Sequence, residues 1–65
     1  MTYTEKDVHV AIEKLTKRIG TPIIRHFDGY IILAQGQRDF EEKRNRIMRG
    51  DIFGFYTVER AKNLN

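Results

Sequence analysis

The sequence predicts a small α+β domain of order α-β-β-α-β, with two helices packed on one face of a three-stranded antiparallel sheet. Three observations carry that expectation. Residues 4–19 repeat apolar side chains at helical spacing and stop at Gly20. Asp28-Gly29 divides two β-rich runs within 23–34, the strongest short-range signal for a hairpin. A second capped helical run, 39–49, leads into the aromatic run 52–58. Covering one face of a hairpin-plus-strand sheet with both helices is the economical packing, and it leaves the other face open.

In the first helix, Val8, Ala11, Ile12, Leu15 and Ile19 fall in one arc. Thr4 is the expected N-cap, with Asp7 placed to complete a capping box. Glu5 and Asp7 in the first turn and Lys17 and Arg18 in the last suit the helix dipole. Pro22 follows the stop at Gly20. A two-residue Asp28-Gly29 turn pairs Phe27 with Tyr30, Arg25 with Ile32 and Ile23 with Ala34 on one face. His26 with Ile31 and Ile24 with Leu33 fall on the other. Both faces of this hairpin are apolar.

In the second helix Asp39 is the expected cap, Glu42 takes the capping-box position, and Gly50 ends the helix. Phe40, Ile47 and Met48 define its apolar side. In the strand expected at 52–58, Phe53, Phe55 and Thr57 share one face, and Ile52, Gly54, Tyr56 and Val58 the other. The tail 59–65 reads as frayed, or as a short helix capped by Thr57.

At 65 residues the chain is one domain, 1–65, too small to bury a large core. It has no cysteine, which removes disulfides and thiolate metal sites and suits a reducing, cytosolic setting. No apolar run reaches membrane-spanning length, and the charged N-terminus lacks a signal-peptide core. A chain of this size and composition is common among accessory products of phages and mobile elements.

The chemistry of catalysis is thin. Serine and cysteine, the commonest nucleophiles, are absent. His9 lies on the polar arc of the first helix, and His26 beside the hairpin turn reads as a turn or cross-strand contact. No metal-ligand spacing and no phosphate-cradling glycine loop occurs. The expectation is a non-enzyme with no cofactor, no metal and no small-molecule substrate.

Two binding readings follow. The first is a protein-binding regulator or inhibitor, with another protein or a second copy of the chain docked on the open aromatic sheet face. Phe27, Tyr30, Phe53, Phe55 and Tyr56 are its candidate residues. The second is nucleic-acid binding through Arg38, Lys43, Arg44, Arg46 and Arg49, since arginine forks suit phosphates and guanine edges. The charge of +3, from 12 basic and 9 acidic residues, is modest, and Glu42 interrupts the basic helix as an i,i+4 partner for Arg46, so the protein-binding reading leads. Arg44 falls inside the apolar arc, where its stem can pack while its head reaches water. The segment 49–58 has the basic-Gly and aromatic-Gly-aromatic elements of the RNA-recognition motif. Asp51-Ile52 separates them, and the element order differs, so the chain is not assigned to that family.

Overall fold

The computed structural model describes residues 3–20 and 23–64. Its elements are α1 (Glu5–Ile19), β1 (Ile23–Phe27), β2 (Tyr30–Ala34), α2 (Gln37–Met48), β3 (Tyr56–Thr57) and α3 (Val58–Lys62). The α+β class, the order of the first five elements and the three-stranded antiparallel sheet, ordered β1-β2-β3, are those the sequence predicts. Pro22 and Asn65 lie outside the described residues.

α1 is held at both ends as expected. Thr4 Oγ1 accepts from the Asp7 N–H at 3.2 Å, and the Asp7 carboxylate accepts from the Thr4 N–H at 3.0 Å. Gly20 adopts a left-handed φ of 69° and donates to the Thr16 carbonyl. The hairpin register matches the expected one pair for pair, from Phe27↔Tyr30 to Ile23↔Ala34. Asp28 and Gly29 both have positive φ, 51° and 86°, as a type I′ turn requires.

The placement of the helices differs from the expectation. α1 and α3 cover the face of the sheet that carries Ile24, Ile31 and Leu33. Ala11, Leu15, Ile31, Val58 and Ala61 form that core. α2 lies on the opposite face, where Ile32, Ala34 and Ile47 are buried with Phe40, Ile23, Phe27 and Tyr30 around them. The cause is the hairpin itself. Consecutive residues point to opposite faces of a strand. Ile31 and Ile32 are nevertheless 1% and 0% exposed, so both faces must be covered. α3 takes the position beside α1 that one-sided packing would give to α2.

The third strand is also shorter than expected. α2 ends in a Schellman motif: Gly50 N–H donates to the Ile47 carbonyl and Asp51 N–H to the Arg46 carbonyl, both at 2.9 Å. A β-turn follows at once, with Phe55 N–H donating to the Ile52 carbonyl and Gly54 at φ 89°. Within 52–58 only Tyr56–Thr57 pairs as a strand. Thr57 then caps α3, its hydroxyl accepting from the Arg60 N–H, so the tail begins as a helix. α2 starts earlier than expected, at Gln37, with Gly36 as its N-cap. The Asp39 carboxylate reaches back from inside the first turn to the Gln35 N–H.

Candidate protein-binding surface

The five candidate aromatics separate. Phe27, Tyr30 and Phe55 pack half-buried in the core beneath α2. Tyr56 packs on the other face, with the Arg60 guanidinium 5.1 Å from its ring centre. Phe53 alone is presented to solvent, 87% exposed at the tip of the 52–55 turn. The open aromatic sheet face is therefore replaced by one exposed ring on a loop. Met48 and Ile52, 66% and 43% exposed, are the other large apolar side chains left in solvent in this segment; helical spacing places Met48 on the apolar side of α2, and the structure instead leaves it in solvent.

Beyond the main-chain bonds of the Schellman motif and the turn, one side chain, Arg46, ties the loop to α2. Arg46 Nε donates to the Asp51 carboxylate at 3.1 Å, its Nη2 donates to the Phe53 carbonyl at 3.1 Å, and its guanidinium lies 5.0 Å from the Phe55 ring centre. Two of these are charge-assisted hydrogen bonds and the third is a cation–π contact. Arg46 and Asp51 stand where a Schellman motif usually places a hydrophobic pair. Arg46 pairs with Asp51 rather than with Glu42. Its guanidinium, with a smaller contribution from Arg49, holds the Asp51 carboxyl below the usual carboxylate range.

Beside this loop lies a shallow groove of about 180 Å³. It exists because β3 pairs only with Tyr30 and Ile31, which leaves the edge of β2 uncovered beyond them. Lys43 Nζ reaches over that edge to the Leu33 carbonyl and also pairs with Asp39 at 3.1 Å. The Gln35 N–H and then Lys43 keep the Asp39 carboxyl below its usual range.

The five candidate cations do not form one patch. Lys43 and Arg46 sit on the β3 side of α2 and bind the protein's own groups. At 100° per residue, Arg44 falls on the opposite flank, toward β1, with its guanidinium 5.7 Å from the Phe40 ring centre. Arg38 and Arg49 are exposed on the outer side of the helix. His9 is exposed, and His26 Nε2 accepts from the Gly29 N–H at 3.0 Å within the hairpin.

Among the described residues, no group of acidic, histidine or cysteine side chains is placed to hold a metal ion, and no helix is long and apolar enough to cross a membrane. Comparison with known protein families, curated proteins and solved structures finds no match to this chain. Asp51 beside Gly50 reads in the sequence as turn chemistry, but its ion pair with Arg46 and the exposure of Ile52 and Met48 do not follow from the sequence. The signals available were Gly50-Asp51 and the lone Gly54 inside an otherwise strand-like run.

Proposed function

We propose that this protein is a small non-catalytic binding module, acting as a regulator or inhibitor in a reducing, cytosolic compartment. It docks a protein partner through Phe53, with the exposed Ile52 next to it in the same turn. The observation that carries this reading is a solvent-facing phenylalanine whose loop is fixed from behind by Arg46. An anchor held before binding loses little freedom when it docks. Moving a phenylalanine side chain out of water contributes about 1.5–3 kcal/mol, the scale of an interface hot spot. The neighbouring groove offers the partner a recess beside the anchor.

Nucleic-acid binding is the weaker reading. The Arg46 and Lys43 side chains are engaged inside the protein, and the remaining three arginines point in two directions.

Co-purification from the source cells in about 0.15 M and about 1 M salt separates the two. The protein-binding reading expects a partner that survives the high salt, is lost from Phe53→Ser and is kept by Arg38→Glu/Arg49→Glu. Recovery of nucleic acid that falls away with salt and with the arginine variant overturns it.

A further inference from the structure

We propose that the outer edge of β1 takes up an extended polypeptide segment as an added strand, with a carboxylate of that segment opposite Arg25. This surface lies at the edge of the sheet away from β3 and does not depend on the role given to Phe53.

The hairpin register fixes which groups are offered. Phe27 and Tyr30, joined by a two-residue turn, exchange both ladder hydrogen bonds. Phe27, Arg25 and Ile23 therefore turn their main-chain groups toward β2, and Ile24 and His26 turn theirs outward. No donor or acceptor among the described residues meets those outward groups. β1 is five residues long, roughly 17 Å of edge, enough to pair with a short segment.

Charge selects the occupant. Arg25 is exposed on the α2-covered face, the one charged residue of the strand, and makes no hydrogen bond or ion pair with any described residue. Arg44 lies on the β1 flank of α2 and has no acidic partner among them either. Asp28 follows β1 in the turn, and Glu41, on the same flank of α2 as Arg44, accepts from Gln37 at 3.2 Å. An added strand with an acidic residue opposite Arg25 gains a favourable cross-strand pair.

The same geometry disfavours a second copy of the chain. The antiparallel register that uses both outward residues pairs Ile24 with His26 of the other copy, and it sets Arg25 directly against Arg25. Like charges so opposed are destabilising. The fitting segment alternates, with apolar residues opposite Ile24 and His26 and a carboxylate between them.

The test is a random peptide library displayed on phage and selected on the intact protein, in parallel with Arg25→Glu and Arg25→Gln. The wild type is expected to enrich peptides with an acidic residue flanked by apolar ones, and Arg25→Glu to enrich a basic residue in that place. A wild-type-selected peptide is expected to bind Arg25→Glu about tenfold more weakly, since an attractive cross-strand pair becomes a repulsive one. In the complex, amide exchange at Ile24 and His26 slows, and Phe53→Ala leaves that slowing unchanged. Four results overturn the proposal: no enrichment, enrichment without a carboxylate, protection confined to residues 51–55, or sedimentation showing a dimer of the chain paired through β1. Arg25→Gln, which keeps the polarity without reversing the charge, is expected to fall between the other two proteins. A peptide that binds Arg25→Gln as tightly as the wild type shows that charge does not select the segment and overturns the proposal as well.

Discussion

Trimming Ile31 and Ile32 one methylene at a time tests the two-sided packing. The two residues are neighbours on β2, point to opposite faces and are 1% and 0% exposed. Ile31 belongs to the core under α1 and α3, and Ile32 to the core under α2. Each Ile→Val change removes one buried methylene and should cost about 0.5–1.5 kcal/mol, and each Ile→Ala about 2–5 kcal/mol. A chain of 65 residues has a total stability of about 3–10 kcal/mol at the usual value per residue. The valine variants therefore fold and can be measured, whereas alanine at either position removes a large share of the total stability. Urea denaturation followed by circular dichroism reads the midpoint, which should move by comparable amounts for Ile31→Val and Ile32→Val with little change in slope. With both helices on one face, one of these side chains would lie in water, and its valine variant would move by less than about 0.5 kcal/mol. A large shift for Ile31→Val with none for Ile32→Val refutes the sandwiched sheet.

Other expectations concern the loop and the acid limit. Phe53→Ala should change stability by less than about 0.5 kcal/mol, because the ring is in solvent, whereas Phe55→Ala should destabilise measurably, as read by thermal melts. Gly54→Ala meets no atom within 4 Å but must hold φ near 89°, so it should cost about 1–2 kcal/mol through backbone strain alone. Arg46→Met should speed amide exchange at Asp51 and Phe55 while leaving Ile31 and Ile32 protected. Asp7 (through the Thr4 N–H and Lys62), Asp39 and Asp51 all titrate below the ordinary carboxylate range when folded. The unfolded chain then binds more protons in acid. Their contribution is complete above the unfolded value of about 3.9 and is lost as pH falls through the folded values. Asp51→Asn should flatten that acid limb in a pH series of urea midpoints.

Local signals were legible where they had no competitor. Thr4, Asp7 and Gly20 bound α1 as read, and Asp28-Gly29 fixed every hairpin pair. Two features depended on contacts distant in sequence. Ile52–Phe55 has strand-like composition, but the Schellman motif at Gly50 and the grip of Arg46 on Asp51 and Phe53 fold it into a turn. Local composition could not reveal that grip. The face chosen by α2 was hidden for a similar reason, since the short connection at Gln35–Gly36 permits either side. The apolar character of both hairpin faces was the clue that each needed a cover. Of the candidate residues, α2 divides the arginines and the two cores absorb the aromatics except Phe53.

The most direct test of the binding reading places a photo-crosslinking phenylalanine analogue at position 53, and in a control chain at the exposed Asn45 on the outer side of α2. In extracts of the source cells, position 53 is expected to give one protein adduct. Excess wild-type chain should compete it away, excess Phe53→Ser chain should not, and Asn45 should give none. No adduct at 53, or the same adducts at both positions regardless of competitor, would contradict the claim that Phe53 is the docking anchor.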